Sequence, residues 1–79
     1  MTTNILPVGI KIKRLREKYK LNQDDIVGTE LTRNLISQIE HGKANLTKST
    51  AELIIRNTKE ILNIRMVKLD PKYSVEYLL

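Results

Sequence analysis

Cysteine is absent from the 79 residues, so neither a disulfide framework nor a thiolate metal site can be built. Tryptophan and phenylalanine are absent as well, and the aromatic content is three tyrosines. No apolar run approaches the ~20 residues of a membrane span; Ile5 to Ile10 and Leu53 to Ile55 are far shorter. The amino terminus has no basic flank leading into a long apolar run, the form of a secretory signal, and a cytoplasmic location is expected. There is one histidine, with no cysteine to partner it, and neither a Gly-rich phosphate loop nor a metal-ligand spacing occurs. No catalytic site can be assembled from these residues, and no enzyme activity, cofactor or metal is expected.

What is present is positive charge. Fourteen Lys and Arg face nine acidic residues, a net charge of +5, which points to a polyanionic partner. On charge alone an ordinary basic soluble protein reads the same way. The length allows one small domain, with a core too small to house a sizeable catalytic cleft.

The spacing of apolar residues is helical throughout, and nothing supports strands, so the class is all-α with four to five short helices. Ile5, Val8, Ile12, Leu15 and Tyr19 follow the 3, 4, 3, 4 rhythm of an amphipathic helix from about Pro7 to Lys20. Its other face carries Lys11, Lys13, Arg14, Lys18 and Lys20. A membrane-surface role for that face is disfavoured, because the apolar side has no Trp or Phe and is needed for the core. Asn22 is a good N-cap for a short second helix, with Asp24 and Asp25 at the positive end of its dipole, ending around Val27 or Gly28. Thr32 caps a third helix that ends at His41-Gly42, glycine supplying a left-handed C-cap. Thr47 caps a long fourth helix with Ala51, Ile54, Ile55, Thr58, Ile61 and Leu62 on one face, running to about Ile64. Leu69-Asp70-Pro71-Lys72 reads as a break, and Ser74 to Leu79 as the opening of another helix.

The third helix separates into two faces of different chemistry. At about 100° per residue, Leu35, Ile36 and Ile39 share one arc and Asn34, Ser37, Gln38 and His41 the opposite one. Exposed helix faces are usually filled with Lys and Glu. This one presents neutral hydrogen-bonding groups, with two side-chain amides four residues apart, and amides on a protruding helix suit the base edges of a DNA major groove.

Three groups of residues then carry a resemblance: Arg14-Leu15-Arg16, Leu21-Asn22-Gln23, and Ile36-Ser37-Gln38-Ile39-Glu40-His41-Gly42. Over residues 8 to 64 the chain resembles the phage-repressor and Cro-like helix-turn-helix domains, the xenobiotic-response-element class, with a lambda-repressor-like fold. The departure is the turn, Gly28-Thr29-Glu30-Leu31-Thr32, which is one residue shorter than usual and carries its glycine early. That short form is similar to regulators in which the DNA-binding domain precedes tetratricopeptide repeats.

The resemblance implies a sequence-specific, DNA-binding transcriptional regulator of bacterial or phage type. Double-stranded DNA would be its partner, homodimers its working form, and a C-terminal regulatory domain would follow in a longer protein. Positions that reach base edges fall on Arg33, Asn34 and Gln38, and phosphate or edge-on contacts on Thr32 and Ser37. Gln23 would meet a phosphate at the start of the second helix. Lys43, Asn45 and Lys48 lie where the DNA backbone would pass, while His41 is read as a helix-end residue. The resemblance also pairs Arg16 with Glu40 as a semi-buried structural ion pair. The domain is expected over residues 1–65. Residues 66–79 form a linker or tail that either packs back on helix one or four or begins an element completed elsewhere; the short-turn resemblance favours the second. The rival reading is a protein-interaction module with a helix-turn-helix fold, antitoxin-like or a regulatory partner, which should expose aromatic or aliphatic anchors on the third helix.

Overall fold

The computed structural model describes residues 7–79; Ile5, placed by its spacing on the first apolar stripe, lies outside them. The described residues are helical with no strand. Four α-helices, α1 (Val8–Lys18), α2 (Arg33–Glu40), α3 (Lys48–Ile64) and α4 (Val75–Leu78), are joined by short turns. A 3-10 helix, Gln23–Ile26, lies between α1 and α2. No helix among them is long and apolar enough to cross a membrane.

Side-chain caps set most of the helix starts. Thr32 Oγ1 accepts the Leu35 amide at 3.1 Å, Thr47 Oγ1 the Thr50 amide at 3.2 Å, and Ser74 Oγ the Tyr77 amide at 3.3 Å, each satisfying a donor that the first helical turn leaves unpaired. The α-helical ends also share one device. After α1, α2 and α3 the chain turns left-handed at Lys20 (φ 57°), Gly42 (φ 76°) and Met66 (φ 59°). The next amide then reaches back to the helix: Leu21 N to Arg16 O at 2.8 Å, Lys43 N to Gln38 O at 2.7 Å, Val67 N to Leu62 O at 2.8 Å. These are Schellman closures, and α1 accordingly stops at Lys18 rather than Lys20.

The second helix differs in kind from its expected form. It is a single 3-10 turn, opened by the Asp25 carboxylate accepting the Asn22 amide at 2.8 Å. It ends at Ile26 because Gly28 takes a left-handed φ of 58° two residues later, before another helical turn can close.

The core is almost wholly aliphatic. Ile12 and Leu15 of α1, Ile26, Ile36 and Ile39 of α2, and Ala51, Ile54, Ile55 and Leu62 of α3 form one cluster. It is completed by Leu69, Tyr73 and Leu78 from the segment after α3. Of the two arrangements open to that segment, the structure has the one in which it packs back: α4 lies against both α1 and α3. Tyr73 meets Tyr19 and Tyr77 edge to face, at centroid separations of 6.0 and 5.1 Å. The Tyr19 hydroxyl accepts the Asp70 amide at 2.8 Å. Apolar side chains too numerous for a free tail are thereby taken out of water.

α2 is seated on α1 at very close range. Gly9 is buried, and a Cβ there would fall on the carbonyl oxygens of Ile39 and Glu40. Backbone thus meets backbone, which presses the apolar arc of α2 inward and leaves its opposite arc in solvent.

Candidate nucleic-acid interface

The outward arc of α2 carries Arg33, Asn34 and Gln38 exposed, with Ser37 half-buried between them. Asn34 and Gln38 are one helical turn apart, ~6 Å along the axis, about two steps of a duplex that rises ~3.4 Å per base pair. Thr32, exposed at the helix start, uses its oxygen on the Leu35 amide and keeps its own hydroxyl proton to donate. His41 is turned back on the helix: its Nδ1 lies 2.7 Å from the Ser37 carbonyl. A carbonyl can only accept, so Nδ1 carries the proton and His41 serves the helix end. Lys43 and Asn45 are exposed in the joint after α2, and Lys48 is exposed in the first turn of α3.

The last residue of α2, Glu40, anchors a charged network against α1 and the 3-10 helix. Arg16 of α1 donates Nε to Glu40 Oε2 at 2.7 Å and Nη2 to Oε1 at 2.8 Å, a two-pronged pair, and Nη1 to the Leu21 carbonyl at 3.0 Å. The two side chains are 13% and 4% exposed. The hydrogen bond to Glu40 raises the Arg16 pKa above its ordinary value, against the opposing pull of burial. Gln23 Nε2 also donates to Glu40 Oε1, at 3.1 Å. A carboxylate only accepts, so the Gln23 amide is held nitrogen inward with one N–H to spare.

Gln23 therefore belongs to this network as well as to the start of the 3-10 helix. It borders a polar hollow shared with Arg16, Asn22, Asp24 and Arg33. Arg33 leans over that hollow, 3.8 Å from Asp24, with both side chains mostly in water. The structure thus brings Gln23, Arg33, Arg16 and Glu40 to one place. Asn34, Ser37 and Gln38 form a row along α2, and Lys43 and Asn45 stand beyond its far end.

Three contacts around this surface have no counterpart in the sequence reading. Arg56 of α3 pairs with Glu30 of the turn at 2.6 Å, and this hydrogen bond holds the Glu30 carboxyl below its usual range. Arg65 approaches Asp25 at 3.6 Å. Asn57, 5% exposed, donates to the Ile26 carbonyl at 3.1 Å. A helical wheel carries a signal for Asn57, one turn from Ile54 and from Ile61 on an apolar stripe; the two surface pairs leave none. Among the described residues no three His, Cys, Asp or Glu come together as metal ligands would.

The 3-10 helix, the tight turn and α2 make a helix-turn-helix pair held between α1 and α3. A family model described as a helix-turn-helix domain matches residues 9–74. The chain belongs to the helix-turn-helix domain family. The match runs from the second residue of α1 to the threshold of α4 and includes the short turn. No curated protein and no solved structure matches the chain.

Proposed function

We propose that this chain is the sequence-specific DNA-binding part of a transcriptional regulator of bacterial or phage type, acting in the cytoplasm, with α2 in the major groove. Base edges would be read by Arg33, bidentate to guanine, and by Asn34 and Gln38, each bidentate to adenine. Phosphates would be met by the spare N–H of Gln23, by the hydroxyls of Thr32 and Ser37, and by Lys43 and Asn45. Charge supplies most of the affinity and the three base-reading side chains the preference. Asp24 stands among these groups and disfavours a phosphate directly over the hollow, which directs the strand towards Gln23 and the joint after α2. Two copies on half-sites about one helical turn apart is the expected working form, with a C-terminal regulatory domain in a longer protein.

The observation that carries this reading is the chemistry of the outward face of α2. Its exposed side chains are a guanidinium and two amides, while a protein-docking face would present aromatic or aliphatic anchors. Selection from a random duplex pool tests it, followed by titration of the selected site at rising salt. A defined consensus and a log-log salt slope of roughly −0.9 per phosphate contact are expected. No enrichment of any sequence, with a flat salt response, would remove the reading.

A further inference from the structure

Asn57 is the amide in an otherwise apolar and hydroxyl-bearing stripe of α3, beside Ile54, Thr58 and Ile61. Its Nδ2 donates to the carbonyl of Ile26, the last residue of the 3-10 helix, at 3.1 Å. The same amide lies against Gly28, where a Cβ would stand 2.7 Å from both Nδ2 and Oδ1. Glycine at position 28 is thus favoured twice, for its φ of 58° and because a Cβ there would displace the Asn57 amide. One residue earlier on α3, Arg56 holds Glu30 at 2.6 Å. α3 therefore grips the turn at residues 26, 28 and 30, between the two halves of the helix-turn-helix pair.

Those two halves carry different tasks. Gln23 opens the 3-10 helix and Arg33, Asn34 and Gln38 sit on α2, so phosphate and base contacts are made from opposite sides of the turn. Phosphate contacts set the register in which base contacts are read, and both engage together only if the angle across the turn is held to within ~10–20°. In this short turn the α3 amide closes the helix end directly.

We propose that Asn57 is a positioning residue for sequence discrimination: buried away from the duplex, it fixes the angle between the 3-10 helix and α2 through Ile26 and Gly28. This role rests on the reading of the chain as a sequence-specific DNA binder. The experiment compares the whole chain and its variants on two duplexes of equal length, the site selected by the wild type and a scrambled one, at temperatures where circular dichroism shows each protein folded. Asn57→Ala should reduce the ratio of specific to scrambled affinity by about tenfold or more, with affinity for the scrambled duplex unchanged. Gly28→Ala should act in the same direction. The combined variant should lose less than the product of the two single effects, because both disturb one contact. Leu78→Ala, which destabilises the fold from its far end, should leave the ratio intact.

Should Asn57→Ala not fold, Asn57→Ser, which is shorter but still polar, is read in its place. An unchanged ratio in the folded Asn57 variants, or an equal fall in Leu78→Ala, would overturn the positioning role. A wild-type chain that selects no sequence would instead overturn the DNA-binding reading and this role with it.

Discussion

Removing the Arg16 side chain should be among the most damaging single changes that leave the aliphatic core untouched. Arg16→Ala takes away both prongs on Glu40, at 2.7 and 2.8 Å, and the bond to the Leu21 carbonyl. It leaves a carboxylate whose side chain is 4% exposed with one remaining side-chain donor, the Gln23 amide at 3.1 Å. Stranding one member of a buried pair costs about 3–5 kcal/mol. The surviving Gln23 bond and the 13% exposure of Arg16, which marks a path for water, place this case near ~3 kcal/mol. A domain of this size has about 4–12 kcal/mol in hand, so the loss is a large fraction of the total, and melting should fall by roughly 10–20 °C.

Replacing both charges, Arg16→Leu with Glu40→Leu, should recover most of it, because the cost lies in the unpaired charge and not in the absence of a bridge. Thermal melts and urea titrations of the wild type, the single variant and the double variant measure this. A single variant within ~1 kcal/mol of wild type, or a double variant as unstable as the single, would refute the account of the network.

Gln38→Ala and Asn34→Ala should each lose about 1–3 kcal/mol on the preferred duplex and relax preference at one position, while Gln23→Ala weakens all sequences alike; repeated site selection with each variant checks this. Ending the chain after Met66 withdraws Leu69, Tyr73 and Leu78 from the core and should lower the melting temperature by on the order of 10 °C; an unchanged melt would show that the last residues stand apart from the fold. The Glu30 carboxyl, hydrogen-bonded by Arg56, has its pKa lowered on folding. Its stabilising effect is therefore complete above the usual glutamate value of ~4.3 and fades as pH falls through the lower folded value. The difference in melting temperature between wild type and Glu30→Gln should accordingly be present at neutral pH and vanish in acid; a constant difference would deny the pair a role.

Features set by neighbours along the chain are legible in the sequence itself. Thr32 and Thr47 announce their helices because a hydroxyl before an apolar-periodic run has an amide three residues on to accept. Gly42 announces an end for an equally local reason, and the outward placement of Asn34 and Gln38 follows from a 100° rotation per residue. Arg16 and Glu40, 24 residues apart, can be matched only through resemblance. Distance along the chain is what hides the rest. Asn57 reaches a carbonyl 31 positions away, and that contact, with the left-handed Gly28, goes with a second helix of a single 3-10 turn. Lys20 and Met66 close their helices where glycine would be easier, so no glycine marks those ends. The segment after α3 is ambiguous in sequence because its apolar residues say that something covers them without saying what. The answer lies in Tyr19, 51 positions before the Asp70 amide that it accepts.

All three tyrosines stand at one seam, where α1 meets the segment that follows α3, and the chain has no tryptophan or phenylalanine. The near-ultraviolet spectrum of this protein is consequently a local instrument. Its circular dichroism and its emission arise from a single edge-to-face aromatic column, remote in role from the amides of α2. In the protein alone, a change in that signal reports the opening or closing of the seam. Far-ultraviolet dichroism, which sees the helices as a whole, can then be set against it, and the order in which the two fade on heating tells whether the closing segment leaves before the rest of the fold or together with it.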